Sequence, residues 1–281
     1  MVERNQSEIG GFSREWLIFP AAPGAPLVVF LTGTGGTAEW ADRETGWSEL
    51  ARQEGFALAV PEALPPDPAA PPTFLTNPPR WNDGSPPLFQ QPQQNDVEFL
   101  TAVIDDAAVR YEVDPRHVFV TGFSNGAGMA FRLAAEAADR VAAIAPVAGY
   151  CWVGDLQLLR PVPTLYTVGT RDLLIPLRGG DVRLPWNQRL VRRPPVTDTL
   201  ERWAQALGCA AAPVVRSDDP AVRVDTYPGP VTFDAVTIEG LGHHWPGGRA
   251  LLNPRLAGPP STAVRATEMI WEFFRRSMLG A

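Results

Sequence analysis

The sequence predicts an α/β fold with a mostly parallel central sheet and helices on both faces, and three observations carry that prediction. Short runs that are apolar at nearly every position recur along the chain, as strands buried on both faces should read. Segments with apolar residues at helical spacing alternate with them. Finally, no repeat and no linker separates two cores in the 281 residues, so 1–281 reads as a single domain.

The elements follow in order. Strands are expected at "EWLIF" (15–19), "PLVVFLT" (26–32), "FALAV" (56–60), "HVFVTG" (117–122), "VAAIAP" (141–146), "PTLYTV" (163–168) and "VTFDAVTI" (231–238). Helices are expected at 46–55, 96–111, 125–139, 197–208 and 261–276. In the second of these Val97, Leu100, Ile104, Ala107 and Tyr111 share one face. Ser261 stands where the N-cap of the last belongs. Two stretches break the rhythm. Residues 61–95 are Pro-rich and too long for an ordinary connection, yet Phe74, Leu75, Trp81, Leu88 and Phe89 are anchors that a disordered insertion rarely carries. Residues 173–196 read as a second irregular loop. Both follow expected strands, on the side where a parallel sheet builds its site.

Composition removes several function classes. A net charge of −7 leaves no basic stripe for nucleic acid. No apolar run approaches the roughly 18 residues of a membrane span. The polar start "MVERNQSEIGG" has no apolar core of a signal peptide, so the chain as it stands reads as cytoplasmic, or as secreted if a leader has been removed. Cys151 and Cys209 form no ligand spacing, and whether they pair is open. No cluster of His, Cys or carboxylates has metal-ligand spacing, so neither metal nor organic cofactor is expected.

The chemistry centres on "VFVTGFSNGAGM", which holds Ser124 in a Gly-x-Ser-x-Gly frame between an expected strand and an expected helix. A serine hydroxyl needs a base in reach, a group that orients the base, and donors for the oxyanion. His117 opens the strand that delivers Ser124 and so lies at its far end. That leaves His243 and His244, in a loop after the run 231–238. Asp172 directly follows the strand 163–168, and its rivals Asp155, Asp181 and Asp198 sit farther from any strand end. The oxyanion donors expected are the N–H groups of Asn125 and, from the glycine-rich loop 30–40, Thr34. No Lys-Ser/Thr follows that loop, which disfavours a phosphate-binding reading.

Five stretches, "DPRHVFVTGFSNGAGMAFRLA", "NPPRWNDG", "VGTRDLLIP", "GLGHHWPGG" and "IWEFF", together resemble the polyhydroxybutyrate depolymerase and feruloyl esterase group of α/β-hydrolases, from about residue 15 to 275. The resemblance implies an α/β-hydrolase fold and a Ser124–Asp172–His243 triad, with His243 aimed inward and His244 toward the pocket rim or solvent. It also implies that Trp81, Asn82 and Trp245 help bind substrate. The early loop of such enzymes usually reads His-Gly, whereas this chain has Thr32-Gly33, a threonine that can still hydrogen-bond the loop. The expected substrate is a soluble or oligomeric ester of hydroxyalkanoate or aryl type. A peptidase or acyltransferase on the same triad, or an inactive binding module, are the alternatives.

Overall fold

The computed structural model describes residues 2–87, 94–186 and 188–279. Twelve strands form within them: β1 (Glu3–Ile9), β2 (Phe12–Phe19), β3 (Leu27–Leu31), β4 (Ala57–Pro61), β5 (Val118–Phe123), β6 (Ala143–Val147), β7 (Thr164–Gly169), β8 (Gly180–Arg183), β9 (Leu190–Arg193), β10 (Val214–Asp218), β11 (Val222–Thr226) and β12 (Phe233–Ile238). Seven α-helices accompany them: α1 (Ala38–Thr45), α2 (Trp47–Glu54), α3 (Asp96–Arg110), α4 (Asn125–Glu136), α5 (Val196–Leu207), α6 (Pro254–Ala257) and α7 (Ala266–Leu279). Ten strands make one sheet in the order β1-β2-β4-β3-β5-β6-β7-β12-β11-β10. Its centre, from β4 to β12, is parallel, and antiparallel strands close both edges.

The central strands β3 to β7 are buried at every position, which is why they read as unbroken apolar runs. Their side chains alternate between two cores. Leu27, Val29, Leu31, Val118 and Val120 meet α3, α4 and α5 through residues such as Phe99, Met129 and Trp203. Val28, Phe30, Phe119 and Phe123 face the other way, toward α1, α2 and α7. There Phe119 stacks on Phe274 with ring centroids 4.7 Å apart. The result is the α/β-hydrolase fold.

Strand order positions the site. β3 and β5 are neighbours, yet the connection from β3 runs to β4 on one side and that from β5 runs to β6 on the other. Such a reversal opens a crevice beyond the carboxyl ends of the strands. Into it project the loop after β3 and the turn after β5.

Several expectations are corrected. Residues 173–196 are not wholly irregular, because β8 and β9 pair as a hairpin, Gly180 opposite Arg193. The last helix begins at Ala266, and Ser261 instead accepts a hydrogen bond from the Ala263 N–H in the turn before it. The strands β1, β10 and β11 and the helices α1 and α6 were not expected. Cys151 and Cys209 are free and buried, and burial pushes the Cys151 thiol up to about 11. Leu88 and Phe89 lie outside the described residues. No described helix is long and apolar enough to cross a membrane.

Candidate active site

Ser124 is the hinge between β5 and α4, with φ 57° and ψ −116°. A serine held at positive φ is strained, and such strain is tolerated where it aims a side chain. Two glycines make the turn possible. A Cβ on Gly122 would strike the Gly126 carbonyl, and one on Gly126 would strike the carbonyls of Leu31 and Thr32. The Ser124 N–H is held by the Val147 carbonyl at 2.9 Å, fixing the turn to β6.

His243 Nδ1 donates to Asp172 Oδ2 at 2.8 Å, and both side chains are buried. The other carboxylate oxygen of Asp172 accepts the backbone N–H groups of Leu174 and Ile175 at 2.8 and 2.7 Å. Asp172 is therefore fixed by its own loop before it meets the imidazole. The His243 ring packs on Phe123, the residue preceding the serine, with centroids 4.6 Å apart. Its backbone N–H is anchored on the Ala257 carbonyl. Among the described residues no hydrogen bond joins Ser124 to His243, but both line one cavity of about 290 Å³. Catalytic hydrogen bonds often tighten only once substrate is bound.

The expected oxyanion donors converge on the same place. Asn125 opens α4, whose N-terminus favours negative charge. Thr34 lines the cavity beside Ser124. Neither the Asn125 nor the Thr34 N–H meets a protein acceptor among the described residues. The loop around Thr34 is pinned by its neighbours, Gly35 N–H on the Pro79 carbonyl and Gly36 N–H on that of Gly33. Thr32 does not hydrogen-bond the loop through its side chain. Its hydroxyl is buried without a partner, and its carbonyl instead accepts from Trp81 Nε1 at 3.0 Å.

The residues expected to bind substrate lie elsewhere. Trp81 is fully buried, stacked on Phe99, and its backbone N–H and carbonyl clamp the Asn125 side chain at 2.7 and 3.1 Å. Asn82 donates its N–H to Asp96, while its carbonyl accepts from Arg132. Trp245 is buried between Phe30 and Phe123, with its indole N–H on Thr267. None of the three lines a cavity at Ser124, because each is spent on holding the turn and its loops. His244 is not at the rim either. It is buried, its Nε2 bonds the Gly258 carbonyl at 2.9 Å, and burial lowers its pKa. His117 pairs with Asp114 at the far end of β5.

Of the wall residues the sequence singled out Phe74 alone, as an anchor of the Pro-rich stretch. Trp40, Phe74 and Trp186 line the large cavity, together with Leu251, Leu252 and Leu256. Phe74 and Trp186 approach within 6.1 Å, joining the Pro-rich stretch to the β8–β9 hairpin. Both stretches contain aromatics, which was the available signal. Glu44 anchors the leucine segment by accepting the N–H groups of Ala250 and Leu251, and burial raises its pKa. A smaller cavity opens on the other side of Ser124, lined by Asn125, Arg80, Tyr150 and Arg193.

No family model matches the chain. It is 30% identical over 272 residues to NocK of Nocardia uniformis subsp. tsuyamanensis, named as a candidate esterase, a match that covers 90% of this chain and 75% of NocK. It is 29% identical over 162 residues to feruloyl esterase B of Piromyces equi, covering 53% of this chain and 29% of that longer protein. Among solved structures, the acetyl xylan esterase from Aspergillus awamori superposes with a TM-score of 0.65 at 16% identity, over 97% of this chain and 99% of that one. The likeness to that structure is one of fold.

Proposed function

The chain belongs to the α/β-hydrolase esterases of which NocK and feruloyl esterase B are relatives, and on that premise we propose that it cleaves carboxylic esters through an acyl-enzyme on Ser124. The observation that carries this is the His243–Asp172 hydrogen bond, set in the same cavity as a serine strained into positive φ.

Ser124 Oγ attacks the ester carbonyl carbon as His243 Nε2 takes its proton. Asp172 holds the Nδ1 proton, fixes the tautomer and stabilises the imidazolium. The negative charge on the carbonyl oxygen is met by the N–H groups of Asn125 and Thr34. The tetrahedral intermediate collapses, the carbon–alkoxy bond breaks, and His243 returns its proton to the departing alcohol. Water then attacks the acyl carbon with His243 again as base, releasing the acid and restoring the Ser124 hydroxyl.

A fluorophosphonate probe should label the wild-type protein at Ser124. Ser124→Ala should lose labelling and drop kcat by roughly 10⁴-fold or more on aryl esters. Substantial turnover by that variant would refute the assignment. Matched esters and amides offered to the wild type separate ester hydrolysis from peptidase action.

A further inference from the structure

Two cavities meet at Ser124, and the reaction assigns them. The leaving alcohol must lie within reach of the imidazole that protonates it. His243 lines the large apolar cavity and not the small one, whereas Asn125 lines the small cavity and not the large one. The alcohol therefore departs into the large cavity. The rest of the acyl group points across the oxyanion donors into the small one. Leu174 and Trp186 line both and form the partition.

The small cavity is lined by polar and apolar surface in equal parts and holds a half-buried cation that lacks a counter-ion. Arg193, on β9, makes no side-chain hydrogen bond or ion pair among the described residues, and its Nε is sealed from solvent without an acceptor. Its guanidinium lies over the rings of Tyr150 and Trp152, at 5.9 and 5.8 Å, which orients the fork. The other charges facing this space are Arg80 and Asp83, which pair at 3.4 Å, with Asp83 also accepting from Ser85. Arg80 and Asp83 offset one another, so the cavity keeps one net positive charge within a chain of net charge −7. The Tyr150 hydroxyl is a second buried group without a partner there. Burial raises its pKa, so it stays protonated and able to donate. Leaving a guanidinium desolvated and unpaired is costly, and burial lowers its pKa accordingly. A ligand that brings a planar anion removes that cost.

We propose that the small cavity receives the acyl half of the ester and that Arg193 binds a carboxylate at the end of a short acyl chain. This rests on the acyl-enzyme reading above. The cavity of about 40 Å³ holds roughly three water-sized groups, at 10–15 Å³ for each. That suits the half-esters of short dicarboxylic acids, malonyl to succinyl in length, and excludes long or bulky acyl chains. The guanidinium meets the carboxylate through a fork of N–H donors, with the Tyr150 hydroxyl as an added donor. The alcohol can be large and apolar.

The test compares monobenzyl succinate with benzyl succinamate, which has the same length and shape but no charge, by chromatography of the benzyl alcohol released. Wild type should favour the charged ester in kcat/KM by roughly 10- to 100-fold, the range of a charge-assisted hydrogen bond. Arg193→Gln should erase or invert that ratio, and Arg193→Lys should keep part of it, since an ammonium keeps the charge but not the fork. Succinate should inhibit wild-type cleavage of the succinamate competitively, a measurement that needs no variant to fold. Equal rates on the two esters in wild type, a preference that survives Arg193→Gln, or absence of succinate inhibition would each overturn the assignment. If Ser124→Ala removes all turnover while wild type shows no charge preference, the esterase reading stands and only the acyl pocket falls. If Ser124→Ala still cleaves both esters, the esterase reading falls and takes this inference with it.

Discussion

The adjacent histidines give the sharpest separation of chemistry from packing. His243 lies between Asp172 and the serine's cavity, whereas His244 is turned away and bonds the Gly258 carbonyl. His243→Ala deletes the base, and the expected loss in kcat/KM is about 10⁴-fold or more, no worse when combined with Ser124→Ala because the groups act as a unit. His244→Ala leaves a buried carbonyl unsatisfied and an imidazole-sized void, together costing about 2–4 kcal/mol. In a chain of this size that amounts to a fall in Tm of about 5–15 °C, with kcat largely retained. The pH dependence adds a second readout. Burial lowers the His244 pKa, so in the folded state the ring resists protonation below its usual 6.5 while the unfolded chain accepts the proton. Wild type therefore loses stability through this group as pH falls below 6.5, and the Tm deficit of His244→Ala should shrink over the same range. Aryl ester kinetics and thermal melts of both variants across pH 5 to 8 read all of this. The reasoning fails if His243→Ala keeps most of its activity, or if His244→Ala melts like wild type but is inactive.

Trp81→Ala should lower stability by about 3–5 kcal/mol, as other buried aromatic deletions do, with little change in the ranking of acyl groups. A changed ranking at unchanged Tm would return Trp81 to the pocket. Trp186→Ala should open the partition between the cavities and raise kcat/KM for hexanoyl relative to butanoyl esters by roughly tenfold, at about 0.8 kcal/mol for each extra methylene buried. An unchanged ratio in chain-length kinetics counts against the partition. Glu62 accepts the Ala38 N–H at the start of α1, and burial raises its carboxyl to about 7. Its folded pKa lies above the unfolded one, so its contribution is complete below pH 4.5 and lost as pH rises through 7. The Tm of Glu62→Gln should thus gain on wild type between pH 4.5 and 7 and level off above, and parallel profiles would refute this.

What the sequence made legible follows from where pattern and environment coincide. β3 to β7 are enclosed on both faces, so their apolar runs could mean little else. β10 is exposed at every position and β1 at most of them, so neither carries a burial pattern to read. Both exist because a neighbouring strand offers an open ladder. The turn at Ser124 was legible because three constraints overlap there: strand, glycines and helix. The distinction between His243 and His244 was not legible in the residues themselves, because it depends on the carbonyls of Ala257 and Gly258 on a separate segment. Likewise Trp81 and Trp186 look alike in sequence, each an aromatic in a Pro-rich stretch. Only the fold shows that one supports the turn and the other forms a cavity wall.

The support behind the turn also explains a buried ion pair that stability alone would not. Arg14 and Asp96 are both sealed from solvent and meet at 2.8 Å, with the guanidinium over the Phe99 ring at 3.8 Å. Such a pair recovers little net stability once desolvation is counted. Its second carboxylate oxygen, however, accepts the Asn82 N–H, one residue from the Trp81 backbone that clamps Asn125. Trp81 in turn holds the Thr32 carbonyl, two residues before Thr34. One rigid segment therefore reaches both loops expected to donate to the oxyanion, and Asp96 fixes that segment to the sheet through Arg14 on β2. An apolar replacement of the pair could match its packing but would offer no acceptor for the Asn82 N–H. Positioning accounts for the pair better than stability does.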